Sequence, residues 1–195
     1  MDLQPEVSLR RFRELGVQDI DEMLNPYRQL GVFHDLEMGL VGREEFVARL
    51  NEHAGTNLTD EEINEAIMLF LKGVPQYKFD YLEQLRKQYK IYILSNTNPY
   101  IMAYAHSSHF LPATGRTLSD YVDKVYASCE MQTMKPDRAI YEQMIADSGM
   151  VPERTLFIDD STANLEAASA LGLQTLLAVN GTDWRPALAA RLQHD

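Results

Sequence analysis

The sequence has 195 residues, of which 45% are hydrophobic and 24% are charged, and its formal net charge is −11. This length and composition are typical of one globular core with a smaller appended subdomain. The negative charge argues against nucleic acid and against membranes as partners, because both require a basic surface. The single cysteine, Cys129, excludes an internal disulfide and, with no histidine beside it, a zinc site.

The sequence also bears on where the protein works. It contains no run of 18 apolar residues, and its first residues lack the basic, apolar and small-residue order of a signal peptide. We therefore expect a cytoplasmic protein, either a monomer or a homodimer.

Residues 1–76 have the periodicity of short amphipathic helices throughout. The predicted helices cover residues 7–15, 18–24, 43–54 and 59–71. Asn25-Pro26 is expected to end the second helix, and Thr59 and Glu62 have the capping-box spacing that begins the fourth. Four short helices bury too little surface to be stable alone. We therefore predict a small all-helical subdomain that packs on the rest of the chain.

Residues 77–195 alternate helices with short apolar strands. The predicted strands cover residues 90–94, 124–128, 155–160 and 174–179. This alternation indicates an α/β core with a doubly wound parallel sheet. In such a sheet the carboxyl ends of the strands share one edge, where ligands bind.

Polar residues suited to phosphate chemistry follow these strands. Ser95 and Asn96 offer a hydroxyl and an amide before a predicted helix, whose N-terminal N–H groups favour an anion. Lys135 adds a cation just before a proline. Asp159 and Asp160 end a buried strand, where two crowded carboxylates repel unless a cation lies between them. Mg²⁺, which is usually held by one or two carboxylates with waters and phosphate oxygens, suits this set.

Simpler interpretations of several residues stay open. Asp160 or Ser161 would merely cap the helix that follows the strand. His106 and His109 are spaced like metal ligands on a helix, but no third ligand completes the pattern, so we interpret them as surface residues. Cys129 follows a strand and is expected to be buried rather than nucleophilic.

Three segments around these residues resemble a known family. The segments Tyr92–Pro99 (YILSNTNP), Met134–Tyr141 (MKPDRAIY) and Leu156–Ala168 (LFIDDSTANLEAA) are similar to motifs II, III and IV of the haloacid dehalogenase-like (HAD) hydrolase superfamily. The similarity covers residues 79–180, and the helical segment before it resembles the cap of that superfamily. The acid pair resembles the metal-dependent phosphatases more than the metal-free dehalogenases.

The resemblance implies a Mg²⁺-dependent phosphatase of a small phosphorylated metabolite, with a Rossmann-like core and an aspartyl-phosphate intermediate. Ser95 would bind the transferring phosphoryl oxygen with help from Asn96. Lys135 would neutralise the charge of the nucleophile and the phosphate.

The resemblance also implies roles in the acid loop. Asp160 would coordinate Mg²⁺. Asp159 would be a second ligand, or an anchor for Lys135 or for a metal-bound water. Asn164, one turn into the next helix, would orient the loop.

The family's first motif, an apolar strand ending in Asp-x-(Asp or Gly) that supplies the nucleophile, has no match in this sequence. No apolar strand precedes Asp2 and Pro5 follows closely, so Asp2 is not assigned as the nucleophile. We expect the natural product to extend upstream of Met1 by about 10 to 15 residues. The alternative, from another functional class, is an inactive scaffold that binds a phosphorylated ligand or a partner protein.

Overall fold

The chain folds into two compact units, which divide between Thr133 and Met134. The computed structural model describes residues 2–24, 29–179 and 181–192. The predicted boundary between cap and core, at residues 76 and 77, falls inside the first unit. The division into a helical subdomain (1–76) and an α/β core (77–195) stays a prediction.

The N-terminal part of the first unit is mostly helical. Its helices are α1 (Pro5–Glu14), α2 (Ile20–Met23), α3 (Gly31–Glu37), α4 (Arg43–Ala54) and α5 (Asp60–Met68). α4 has the predicted bounds, and Thr59 and Glu62 form the predicted capping box at the start of α5. The sequence pattern does not predict α3, because seven residues show too little periodicity. Asn25 and Pro26 lie outside the described residues.

A short ladder departs from the helical pattern predicted for this region. Strand β1 (Asp2–Leu3) pairs antiparallel with strand β2 (Leu71–Gly73). The backbone N–H of Gln4 donates to the carbonyl of Phe70 at 2.9 Å and extends the pairing. Strands of two and three residues are too short to show the alternation by which a strand is recognised in sequence.

The rest of the first unit alternates helices and strands, as predicted. Its elements are α6 (Gln76–Leu85), β3 (Tyr92–Ser95), α7 (Pro99–Ala105), β4 (Lys124–Ala127) and α8 (Ser128–Met131). β3 and β4 are parallel, with Ser95 opposite Ala127. The residues that follow these two strands therefore lie at the same edge.

The second unit continues the α/β pattern. Its elements are α9 (Arg138–Ser148), β5 (Leu156–Asp159), α10 (Thr162–Ser169), β6 (Gln174–Leu177) and α11 (Arg185–Leu192). β5 and β6 are parallel, with Asp159 opposite Leu177. The two parallel pairs confirm the predicted α/β class.

In the part of the chain that the structure describes, each of the strands β3 to β6 is hydrogen-bonded to one neighbouring strand. β3 pairs only with β4, and β5 pairs only with β6. The apolar residues Phe157 and Ile158 of β5 are correspondingly half-buried, whereas the sequence predicts a buried strand.

The described helices are short, and the longest, α4, has 12 residues. Within the described ranges, no helix combines the length and apolar character that a membrane-spanning segment needs.

A chain of aromatic rings runs through the helical core of the first unit. The ring centroids of Phe12 and Phe33 lie 5.6 Å apart, those of Phe33 and Phe46 5.0 Å, and those of Phe46 and Tyr100 6.1 Å, all in edge-to-face arrangements. The Tyr100 hydroxyl also donates to Asp60 Oδ1 at 2.7 Å. Because Tyr100 belongs to α7, these contacts anchor the helix that follows β3.

A glycine lets the end of α3 approach the start of α8. Gly39 has φ +65°, and a Cβ at this position would overlap the carbonyl oxygen of Cys129 and lie 2.8 Å from its carbonyl carbon. Gln132 Nε2 donates to the Gly39 carbonyl at 3.3 Å. The turn after α3 is therefore fixed beside the residues that follow β4.

We predict that Gly39→Ala destabilises the protein more than Gly55→Ala. Gly55 has nearly the same φ, +66°, but no atom lies within 4 Å of its would-be Cβ. Gly55→Ala should therefore cost only the left-handed backbone penalty of about 1 to 2 kcal/mol, and Gly39→Ala at least about 2 kcal/mol more. Urea unfolding measures both, and equal losses would show that the contact with Cys129 is not close.

Candidate active site

Asp159, the last residue of β5, is bonded through both of its carboxylate oxygens. Oδ2 accepts a hydrogen bond from Lys135 Nζ at 2.7 Å, and Oδ1 accepts from the Ser161 N–H and from Asn164 Nδ2, each at 2.9 Å. The Asp159 side chain is 6% exposed and that of Lys135 11%. A buried charge persists only when it is paired and hydrogen-bonded, and Asp159 meets both conditions. The structure thus brings together Lys135, Asp159 and Asn164.

Tyr141 of α9 contacts this cluster through its hydroxyl and its ring. Its hydroxyl donates to the Asn164 carbonyl at 3.0 Å, and its ring packs edge-to-face on Phe157, with centroids 5.6 Å apart. Burial and, next, the charge of Asp159 raise the pKa of the Tyr141 phenol. The phenol therefore stays protonated and can keep donating to Asn164.

Asp160 has a different environment from its neighbour. Side chains alternate at the end of a strand, and Asp160 is exposed where Asp159 is buried. It makes no hydrogen bond or ion pair with any described residue. Ser161 occupies the N-cap of α10 without a side-chain hydrogen bond, so neither residue caps the helix in the way that the simpler interpretation requires. Asp160 keeps its carboxylate available to a ligand.

Ser95 and Asn96 lie at the end of β3 in the first unit. Ser95 is half-buried, with its Oγ 3.4 Å from the Asn96 carbonyl, and Asn96 is exposed. The predicted anion site at the next helix is not supported. The Asn98 side chain already accepts from the N–H groups of Tyr100 and Ile101, at 3.1 and 3.2 Å. The Ser95 hydroxyl and the Asn96 amide are left as the phosphate-binding candidates here.

The loop after β3 is tied to the residue after β4. The Thr97 N–H donates to Ser128 Oγ at 2.9 Å, and the Ser128 hydroxyl donates to the Thr97 carbonyl at 3.1 Å. Thr97 is 4% exposed, and its own hydroxyl has no hydrogen-bond partner among the described residues. A buried polar group without a hydrogen-bond partner lowers the free energy of unfolding by on the order of 1 to 3 kcal/mol.

Glu37, to which the sequence analysis assigns no role, has an unusual environment at the end of α3. Burial raises the pKa of its carboxyl to about 7. It has no hydrogen-bond or ion-pair partner among the described residues. It is close enough to Cys129 that its charge, after burial and Glu130, helps to raise the pKa of that thiol to about 11. Because α3 is too short to be predicted from periodicity, nothing in the sequence singles out Glu37.

The other candidates do not form a site. His106 Nδ1 is 2.9 Å from Ser119 Oγ. Cys129 keeps its proton at neutral pH, which fits the interpretation that it is not a nucleophile, but it is half-buried rather than buried as expected. Within the described ranges, no group of three or more His, Cys, Asp or Glu side chains could hold a metal. A cation held by one carboxylate, waters and phosphate does not require such a group.

Comparisons with known proteins point to the same chemistry. A family model for haloacid dehalogenase-like hydrolases matches residues 7–172. The chain is 39% identical over 192 residues to the D-ribitol-5-phosphate phosphatase of Bacteroides thetaiotaomicron, an alignment that covers 98% of this chain and 93% of that protein.

Two solved structures are similar over nearly the whole chain. A predicted HAD-like family hydrolase of Porphyromonas gingivalis is 47% identical, with a TM-score of 0.94, and the match covers 100% of this chain and 93% of that one. A HAD family enzyme of Bacteroides thetaiotaomicron is 34% identical, with a TM-score of 0.90 and coverage of 96% and 92%. That structure is an aspartate-to-alanine mutant in complex with magnesium and inorganic phosphate.

We predict that Lys135→Met destabilises the protein by about 3 to 5 kcal/mol, because it leaves the buried Asp159 carboxylate without its cation. The control is Arg138→Met, which removes an ion pair with Glu142 from a side chain that is 68% exposed and should cost about 0.5 kcal/mol or less. Denaturant unfolding measures both. Adding Asp159→Asn to Lys135→Met should recover part of the loss, and no recovery would contradict the pairing.

We also predict that Glu37→Gln changes how stability depends on pH. The folded protein keeps the Glu37 proton to about pH 7, whereas an ordinary glutamate loses it near 4.5, so stability falls as pH rises through this window. Relative to wild type, the variant should gain on the order of 3 kcal/mol between about pH 4 and pH 8. The exposed Glu52→Gln is the control. Parallel pH profiles of wild type and Glu37→Gln would contradict the prediction.

Proposed function

Because the chain belongs to the haloacid dehalogenase-like hydrolases, we propose that it is a Mg²⁺-dependent phosphatase of a small phosphate ester. The observation that carries the proposal is the contrast within the acid pair, in which Asp159 is fully bonded inside the protein and Asp160 is exposed beside it. The similar D-ribitol-5-phosphate phosphatase makes a sugar-alcohol phosphate the first substrate to test. A cytoplasmic location and a monomeric or homodimeric state stay predictions.

The donor set suits Mg²⁺ better than a transition metal. Asp160 would supply a hard oxygen ligand on a loop that the hydrogen bond between Asn164 and Asp159 supports. Both Asp159 oxygens already accept hydrogen bonds, which favours the anchoring role for Asp159 over that of a second ligand. Mg²⁺ bound at such a carboxylate supplies charge neutralisation and Lewis-acid polarisation of a phosphoryl oxygen.

The remaining residues would bind the phosphoryl group. Ser95 would donate its hydroxyl to a phosphoryl oxygen, and the Asn96 amide would add a second donor. Lys135 brings a cation whose position is set by its bond to Asp159, and that charge stabilises the negative phosphoryl group during transfer.

The nucleophile in this mechanism is an aspartate carboxylate. Its oxygen attacks phosphorus while the bond from phosphorus to the leaving oxygen breaks, and the leaving oxygen takes up a proton. Water then attacks the aspartyl-phosphate, releases inorganic phosphate and regenerates the carboxylate. Asp2 does not suit this role, because its backbone pairs antiparallel with Gly73.

We predict that Asp160→Asn lowers Mg²⁺-dependent phosphate release at least about 100-fold, because the neutral amide is a poor ligand for a hard cation. Its thermal unfolding without Mg²⁺ should match wild type, since the Asp160 side chain makes no hydrogen bond or ion pair within the described residues. The control is Glu166→Gln, which removes an exposed charge from α10.

The assay uses the full natural gene product with a sugar-alcohol phosphate and with para-nitrophenyl phosphate. Near-normal turnover of Asp160→Asn would contradict the metal assignment. Binding of phosphate ester without release of phosphate would instead favour the inactive scaffold.

A further inference from the structure

The side chains of Arg43, Asp60 and Tyr100 form a closed cluster in the first unit, in which each contacts the other two. The Tyr100 hydroxyl donates to Asp60 Oδ1 at 2.7 Å, and Arg43 Nε donates to the same oxygen at 3.2 Å. A second nitrogen of Arg43 pairs with Asp60 Oδ2, and the Arg43 guanidinium carbon lies 4.1 Å from the centroid of the Tyr100 ring. The cluster therefore fixes both the hydroxyl and the ring of Tyr100.

These three residues stand at the starts of three helices. Arg43 is the first residue of α4, Asp60 is the first of α5 and Tyr100 is the second of α7. Tyr100 is 1% exposed, so its hydroxyl needs an acceptor within the protein, and Asp60 supplies one. Burial and this hydrogen bond hold the pKa of the Tyr100 phenol above its ordinary value, so the hydroxyl stays protonated and keeps donating. One hydrogen bond thus joins α7 to the starts of two helices from the N-terminal part of the chain.

The segment between Tyr100 and the phosphate-binding candidates has little conformational freedom. The Asn98 side chain accepts from the Tyr100 N–H at 3.1 Å and holds the start of α7 to the loop. Thr97 is buried, and its backbone is bonded to the residue after β4. Pro99 has a fixed φ. A shift of Tyr100 would therefore be passed along the loop to Asn96 rather than absorbed within it.

We propose that Tyr100, held by Asp60, is a positioning residue for the phosphoryl group, because it fixes the loop that begins with Ser95 and Asn96. The inference rests on the proposed phosphatase function. Tyr100 and Asp60 act through those two residues and do not contact the substrate themselves. Placement matters because a misplacement of about 1 Å in a group that orients the substrate lowers the rate on the order of 100-fold.

The proposal specifies how the effect depends on the substrate. All phosphate monoesters share the phosphoryl group and differ in the leaving group. A residue that positions the donors to the phosphoryl group should therefore affect every ester to the same extent. A residue that only supports the fold should affect stability without changing the kinetics of the folded enzyme.

The test is Tyr100→Phe in the full natural gene product, assayed with D-ribitol 5-phosphate and with para-nitrophenyl phosphate. The variant keeps the ring and removes only the hydroxyl that donates to Asp60. It should lower kcat/KM about tenfold for both esters alike. The matched control is Tyr104→Phe on the same helix, whose hydroxyl makes no hydrogen bond with a described residue, and it should leave kcat/KM unchanged.

A second control separates positioning from stability. Ser8→Ala removes another buried hydroxyl, which donates to the Ala66 carbonyl at 2.7 Å and joins α1 to α5. It should lower the urea midpoint about as much as Tyr100→Phe does, because each variant loses one internal hydrogen bond. It should leave kcat/KM for both esters unchanged.

A double-mutant cycle tests whether Asp60 acts through Tyr100. Asp60→Ala should lower kcat/KM at least as much as Tyr100→Phe, and adding Tyr100→Phe to it should lower kcat/KM less than about twofold further, since the bond is already lost. Losses that multiply in the double variant would overturn the proposed route from Asp60 to the loop.

The remaining outcomes distinguish this inference from the proposed function. Wild-type kcat/KM in Tyr100→Phe, a loss equalled by Ser8→Ala, or a loss confined to one ester would overturn the positioning role and leave the phosphatase in place. Failure of the wild type to release phosphate from either ester would overturn the proposed function and the positioning role with it.

Discussion

The buried carboxylate of Asp159 is the interaction on which the rest of the site depends. It ends a strand in a poorly hydrated position and would be costly there without the ammonium of Lys135 and the donors of Ser161 and Asn164. Those bonds fix the direction in which the chain leaves β5. Since side chains alternate, they also fix Asp160 on the exposed side. One residue of the acid pair thus acts as the structural support for the other.

In the first unit, other interactions hold the loop after β3 in place. Its loop after β3 is held by Ser128 on one side and by Tyr100 on the other. Tyr100 connects the loop to the aromatic core of the helical segment, so the loop that follows Ser95 is supported by residues far from it in sequence. Glu37 is likewise positioned by a neighbouring structural feature, the turn at Gly39 that packs against Cys129.

The sequence predicts the parts of this structure that depend on local pattern. The alternation of strands and helices indicates the α/β class, and Thr59 and Glu62 indicate the start of α5. The family resemblance implies that Lys135 and Asn164 support the acid loop, and both contact Asp159 in the structure. The sequence does not predict α3, α8 or the β1–β2 ladder, because these elements are too short for periodicity. The sequence also predicts that the N-terminal N–H groups of α7 are available to an anion. In the structure the Asn98 side chain accepts hydrogen bonds from two of them, which residue spacing alone does not show. Glu37 could not be found in this way, because an unpartnered carboxyl is defined by what surrounds it in space.

The proposed Mg²⁺-dependent phosphatase activity is tested by phosphate release from D-ribitol 5-phosphate and para-nitrophenyl phosphate, with and without Mg²⁺, by the full-length protein isolated from its native source. We expect phosphate release that saturates with Mg²⁺, stops when the metal is chelated and returns when Mg²⁺ is restored. Release that persists in the presence of chelator, or no release from either ester with Mg²⁺ present, would contradict it.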